Sequence, residues 1–258
     1  MLDLKELWSY RELLGVLVLR DIKGRYKQSV LGVAWIVLRP LASMAVFTLV
    51  FGMFARIPSD GYPYPLFVFA GLLPWIYFST SVLSSGGSLV ASAGLVSKVY
   101  FPRLIIPAAS VAGGLFDLFV SMAFMLAAMP FFGTGWTVNL LAVPALVLGL
   151  VVTTFGIGTL ISALTVAYRD FATIAGFALQ IWMFVTPVIY PVGMVPERWQ
   201  WILLVNPMAA QVEGFRSAFL GKPFDLMAIG ISIAISTFLF LLGVAYFEKV
   251  ERRFADII

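Results

Sequence analysis

Few residues in this 258-residue chain are of types that do chemistry. It has no histidine and no cysteine. That removes the commonest general base and metal ligand, and any thiolate nucleophile or thiolate metal site. The acids are scattered. Asp117 stands alone in a long apolar stretch, and Asp170 lies beside Arg169 as the compact pair of an internal loop. Neither gives the acid, base or metal cluster that group transfer needs. Asp170 with Arg169 reads as an ion pair fixing a loop, and Asp117 as a structural partner between helices. Cations remain. Arg25, Lys27 and Arg39 lie close together in sequence and have the chemistry to hold an anionic head group through charge-assisted hydrogen bonds. Arg39 could instead snorkel to a membrane surface.

A second candidate is the stretch "LVSKVYFPRLIIPAAS", residues 95–110. No charged residue occurs from 61 to 97; then Lys98 and Arg103 arrive beside Pro102 and Pro107. The prolines disfavour a continuous helix, so the stretch is expected to turn. Val99, Tyr100 and Phe101 are bulky and apolar in a turn that should be wet. Exposed aromatics rimmed by cations suit a protein contact; the same residues could dip among lipid head groups.

Composition dictates the elements that carry these residues. The chain is 61% hydrophobic and 12% charged, whereas soluble domains are about 45–50% apolar and about 25% charged. No soluble core of this length hides so much apolar surface, so the membrane must be the solvent. A spanning helix needs about 20 mostly apolar residues. The expected fold is all-α and integral to the membrane, with six transmembrane helices near residues 31–55, 66–93, 104–129, 140–166, 171–190 and 226–247. The uncharged run 118–168 is too long for one crossing, and "PFFGTGWTVN", 130–139, divides it. Six spans place both termini on one side.

The cations decide which side. Lys5, Arg11, Arg20, Lys23, Arg25, Lys27, Lys98, Arg103, Arg169, Lys249, Arg252 and Arg253 fall on the side of the termini; Arg56, Arg198, Arg216 and Lys222 fall opposite. A multi-pass protein with both termini cytoplasmic is expected. The net charge of +4 then reads as topology and contact with anionic membrane lipids, with no nucleic-acid partner.

Two parts lie outside the spans. Residues 1–30 are expected to form an amphipathic interface helix: Leu7, Tyr10, Leu14 and Leu17 recur at helical spacing, opposite Lys5, Ser9, Glu12, Arg20 and Lys23. It is a membrane anchor, or a collar that also touches a soluble partner. Its charged start lacks the apolar core of a cleavable leader. Residues 191–225 are expected to form short re-entrant helices before the last span, broken at Asn206–Pro207 and stopped by Gly221 and Pro223. Non-helical backbone at depth survives only within protein or along a water-filled path, so this hairpin points at a pathway; two helices flat on the outer surface are the alternative. Residues 248–258 form a cytoplasmic tail, and 1–258 together form a single transmembrane domain. The small residues of "FGIG", 155–158, and "VAGGLFD", 111–117, predict close helix contacts, within one copy or between copies.

These segments carry a resemblance. "RDIKGRYKQSVLGVAWIVLRP", 20–40, resembles the entrance segment of the polysaccharide-export permeases, the membrane subunits of type-2 ABC exporters for O-antigen, capsule and teichoic acid. "SKVYFPRLIIP", 97–107, is similar to their first cytoplasmic loop. "YRDF", 168–171, "TPVIYP", 186–191, and "NPMAAQVEGFR", 206–216, follow in the family's order. The resemblance covers essentially the whole chain and is of the O-antigen type. It implies a homodimer in the bacterial inner membrane with a pore between the copies. It also implies two copies of a separate ATPase subunit, and a polyprenyl-diphosphate-linked glycan as cargo. Lys98, Val99, Tyr100, Phe101 and Arg103 are then the ATPase-coupling loop, with the N-terminal helix as a second contact. Asn206, Pro207 and Arg216 belong to the outer gate. Arg25, Lys27 and Arg39 become candidates for the diphosphate head group at the entrance. No G-x-x-x-x-G-K-[ST] phosphate loop occurs. The chain is therefore expected to be a transport subunit, not an enzyme, binding no cofactor itself, with ATP and magnesium on the partner.

A sliding polymer needs many weak sites rather than one tight one, and aromatic rings stack on the apolar faces of sugars. Trp35, Phe47, Phe51, Trp75, Tyr77, Phe78, Trp182, Phe184 and Tyr190 are the channel candidates, although such residues gather at membrane interfaces in any protein of this class. Two other readings stay open. One is a type-2 permease for another cargo, such as teichoic acid, a drug or a lipid. The other is a membrane-embedded transferase acting on lipid-linked sugars, which the lack of an acid–base cluster disfavours.

Overall fold

The computed structural model describes residues 8–27 and 32–251. The expected roles of Lys5, Leu7, Arg252 and Arg253, and the start of the first span at Leu31, lie outside the described residues. Among the described residues all regular structure is helical. Helix α1 is Arg11–Tyr26. Helix α2, Trp35–Phe47, runs on through a π-helical segment, Thr48–Phe54. Then come α3, Tyr64–Ala91, α4, Ile105–Ala128, α5, Val143–Ala167, and α6, Asp170–Val185. Short helices α7, Gln200–Val205, and α8, Pro207–Leu220, precede α9, Leu226–Glu251.

Among the described residues, five helical stretches are long and apolar enough to cross a membrane: Trp35–Phe54, Tyr64–Ala91, Ile105–Phe132, Val138–Ala167 and Leu226–Glu251. The fifth expected span, 171–190, comes out shorter. Helix α6 has 16 residues, about 24 Å at 1.5 Å per residue, against a hydrocarbon core of about 30 Å. It stops because Thr186 precedes Pro187, whose ring pushes the residue before it out of the helical region; Thr186 is extended, at φ −89° and ψ 135°.

Helix α3 is the hub. Its Leu66–Phe78 stretch is buried almost throughout, packed on α4, α5 and α8. Glycines set the helix spacing. Gly114 of α4 leaves room for Tyr77 and Ser81 of α3, and Gly156 of α5 lies against the backbone of Phe240 in α9, where an added Cβ would stand 2.5 Å from a Cα. Thr153 and Ser236 share a 2.6 Å hydrogen bond beside that crossing. Both small-residue stretches therefore work inside one copy of the chain.

Helix α1 packs on α4 through Leu13, Leu14, Leu17 and Val18, closing a second apolar core with Phe101, Leu104 and Phe247. Its polar Ser9, Glu12, Arg20 and Lys23 are exposed as expected, but Trp8, Val16 and Leu19 are exposed too. The apolar face read from sequence seats on protein, and the exposed Trp8, Val16 and Leu19 lie among Glu12 and Lys23 on the outer side.

Candidate functional site

The candidate residues collect at the two ends of the bundle. At one end lies the turn between α3 and α4. Phe101 is only 4% exposed and Tyr100 88%. Phe101 plugs the second core, because Leu17, Leu104 and Phe247 converge beneath it. Arg103 is anchored to the last residue of α9: its backbone N–H donates to Glu251 Oε1 at 3.0 Å and its guanidinium to the Glu251 carbonyl oxygen. Two inward anchors thus hold a short exposed tip of Lys98, Val99 and Tyr100. The expectation that Phe101 is an exposed contact residue is corrected; it is a packing residue.

Beside this end, α1 crosses α4. Arg25 Nη1 pairs with Asp117 Oδ2 at 3.1 Å, and the Tyr26 hydroxyl donates to Asp117 Oδ1 at 2.8 Å. Burial, followed by that hydrogen bond, pushes the Tyr26 phenol well above its usual range. Asp117 is therefore a structural partner. It lines a cleft of about 70 Å³ with Tyr26, Trp35, Arg39 and Ser121. The Arg39 guanidinium lies 5.7 Å over the Trp35 ring and joins none of the ion pairs among the described residues. The three entrance cations are thus not equivalent: Arg25 is committed to Asp117, Arg39 borders the cleft, and Lys27 is exposed at the end of α1.

The candidate rings also divide. Trp75, Tyr77 and Phe78 are enclosed in the core of this chain. Phe78 meets Trp182 edge-on at 5.3 Å, and the Tyr77 hydroxyl donates to the Val111 carbonyl at 3.2 Å. Phe47 and Phe51 are half-buried and pack together at 5.8 Å; Trp35 and Phe184 are exposed. The half-buried Tyr190 donates to the Phe184 carbonyl at 3.1 Å.

The opposite end is locked by polar groups. Asn206 Oδ1 accepts from Trp182 Nε1 at 2.9 Å and from the Met208 N–H at 3.0 Å, while its Nδ2 donates to Thr186 Oγ1 at 3.0 Å. One side chain both caps α8 and ties it to the end of α6. The carbonyl of Pro207 accepts from Ser232 Oγ at 2.9 Å. Arg216, counted in the sequence among the outer-side cations and in the outer gate, is fully buried. It donates to the carbonyls of Val188 at 2.6 Å, Phe67 at 3.3 Å and Tyr190 at 3.3 Å, and pairs with Glu213 at 3.2 Å. Its guanidinium lies 3.7 Å from the centre of the Phe67 ring. Glu213 also accepts from Lys222, which reaches Asp60 at 2.8 Å. Burial opposes the Lys222 charge, but hydrogen bonds to Asp60 and Glu213 outweigh it and hold the ammonium above the usual 10.5.

The sequence reading missed this network, although the i,i+3 spacing of Glu213 and Arg216 was a visible signal. Gly71 makes room for it: a Cβ there would stand 2.9 Å from the Val188 carbonyl oxygen. The expected loop pair is also corrected. Arg169 and Asp170 are both exposed and form no ion pair with each other among the described residues. Asp170 opens α6, where a carboxylate favours the positive end of the helix dipole.

Apolar helices of bilayer length, packed on a buried central helix and locked by polar groups at their ends, define a polytopic helical membrane protein. The family model for the ABC-2 type transporter matches residues 12–220, and the chain belongs to that family. It is 33% identical over 260 aligned residues to the O-antigen export system permease protein RfbA of Myxococcus xanthus, covering 98% of this chain and 97% of that protein. It is 30% identical over 248 residues to a protein of the same name in Klebsiella pneumoniae, covering 96% and 95%. The polysialic acid transport protein KpsM of Escherichia coli is 25% identical over 205 residues, covering 78% and 79%.

Proposed function

We propose that this chain is the permease subunit through which a lipid-linked polysaccharide crosses the bacterial inner membrane, powered by a separate ATPase subunit that carries ATP and magnesium. The observation that carries this reading is the likeness, over nearly the whole length of both chains, to two permeases named for O-antigen export. A third relative named for polysialic acid transport supports a polymer as cargo. In this reading α6 is the fifth of six crossings and completes its passage through the extended 186–191 segment. Both termini are cytoplasmic, α7 and α8 form a hairpin toward the exit, and two copies enclose the passage. Lys98, Val99 and Tyr100 dock on the ATPase, and Arg39 receives the diphosphate head group. Rings that line the passage come from the exposed or half-buried set: Trp35, Phe47, Phe51, Trp182, Phe184 and Tyr190.

Purification of the chain from its native membranes in mild detergent tests the assignment. A P-loop ATPase is expected to co-purify, and to be lost with Tyr100→Ser while the chain stays folded. Purification without any such ATPase, under conditions that preserve other membrane complexes, contradicts it.

A further inference from the structure

The turn joining α4 to α5 contains two single-turn helical segments, Met129–Phe132 and Val138–Ala142. It lies at the Arg216 end of the bundle, because Asn139 Nδ2 donates to the carbonyls of Ser217 at 3.0 Å and Lys222 at 2.8 Å. Turns at the surface normally present polar side chains to water. This one lies in a run without a charged residue from Leu118 to Tyr168. Its large apolar side chains point outward: Phe131 is 88% and Leu141 80% exposed, and Trp136 and Val138 are exposed as well.

Several of its polar groups bond back onto the protein. Trp136 Nε1 donates to the Leu126 carbonyl at 3.2 Å, and Thr134 Oγ1 to the Met129 carbonyl at 2.9 Å. The backbone N–H groups of Gly133, Thr134 and Leu140 donate to carbonyls of Pro130, Met129 and Thr137 within the turn. Polar groups bonded within the turn and large apolar side chains outward suit lipid better than water. The patch is also continuous with two spans, since Phe131 lies in Ile105–Phe132 and Leu141 in Val138–Ala167. The 28 residues of Ile105–Phe132 measure about 42 Å at 1.5 Å per residue. That length matches a bilayer of about 40–45 Å counted with its head groups. Against a hydrocarbon core of about 30 Å, such a helix overshoots by about 6 Å at each end, so the patch falls within the head-group layer, where aromatic rings gather.

We propose that the 129–142 turn is a membrane-seated wedge whose rim, Phe131, Trp136, Val138 and Leu141, rests in the lipid head-group layer, on the side opposite the Lys98 turn. Its occupant is the bilayer itself. The wedge carries no cation, so it holds its depth without selecting anionic lipid. Through Asn139 it is tied to the end of α8, so the depth of the wedge and the position of α8 are coupled.

The native chain has no cysteine, which gives a clean background for single-site labelling. Phe131→Cys, Val138→Cys and Leu141→Cys, with Glu197→Cys as the water-exposed control, would be placed in the full-length chain with its partner subunit in phosphatidylcholine nanodiscs. A polar maleimide measures access to water, and an environment-sensitive fluorophore with nitroxide-labelled lipids measures contact with the bilayer. The wedge positions are expected to react several-fold more slowly than Glu197→Cys. They should be quenched by nitroxides near the ester carbonyls, and equally so when phosphatidylglycerol is added. Reaction as fast as the control without quenching overturns the proposal by placing the turn in water. Slow reaction without quenching, with cross-links between copies, overturns it by placing protein over the patch. Quenching that rises with phosphatidylglycerol overturns the claim that charge plays no part.

Discussion

The two ends of the bundle use arginine in opposite ways. At the α3–α4 turn, Arg103 grips the end of α9 and Phe101 fills the core, and together they leave Tyr100 standing in solvent. At the other end, Arg216 is sealed between α8, α3 and the 188–190 segment, with three backbone carbonyls and Glu213 around it, and its side chain is fully buried. Anchors at the first end serve to present a side chain; at the second they hold separate segments in place.

This contrast can be broken in order of expected effect. Arg216→Met strips the donor from three buried carbonyls and one partner from Glu213, and should cost about 3–5 kcal/mol, as for a broken buried ion pair. Thermal unfolding of the purified chain in detergent would show a large drop, whereas no measurable change would mean that the network is incidental. Phe101→Ser should cost about 3 kcal/mol, in the range for emptying a buried phenylalanine site. Tyr100→Ser should stay within about 0.5 kcal/mol of the parent, as for an exposed position, yet abolish capture of the ATPase. Equal destabilisation by these two neighbours would erase the distinction between anchor and tip.

Asp117→Asn weakens a partly exposed pair with Arg25 and should cost only about 1 kcal/mol. Its sharper readout is release of α1, seen as faster amide exchange over Arg11–Tyr26. The smallest effect is that of pH on Lys222. A raised value in the folded chain means that its stabilisation is complete below the ordinary 10.5 and fades only as pH rises through the folded value. Unfolding followed from neutral pH up to 10.5 should therefore show no loss from this group. A decline beginning near neutrality would show that the Asp60 and Glu213 contacts do not hold it.

Much of the bundle was legible in the sequence, because length and apolarity are local properties: the spans now seen as α2 through α5 and α9 follow from uninterrupted apolar runs. The turn at 130–139 was legible from its proline and glycines. Helix α6 was read too long because the apolar run continues past Thr186, although Pro187 already marked where the helix must stop. Partners distant in sequence were hidden. Nothing near Phe101 reveals that Leu17 and Phe247 close over it, and nothing near Lys222 reveals Asp60, 162 residues away. Arg216 was read only as an outer-side cation of the gate segment, because the carbonyls of Phe67, Val188 and Tyr190 that replace water around it lie far off in sequence.

The most direct test of the proposed function is transport itself. The chain and its partner ATPase would be reconstituted in sealed proteoliposomes with lipid-linked glycan supplied from the ATPase side, and the glycan inside the vesicles measured with and without ATP. Accumulation of protected glycan that requires ATP and vanishes with Tyr100→Ser is the predicted result. ATP hydrolysis by the assembled complex with no glycan ever reaching the lumen would contradict it.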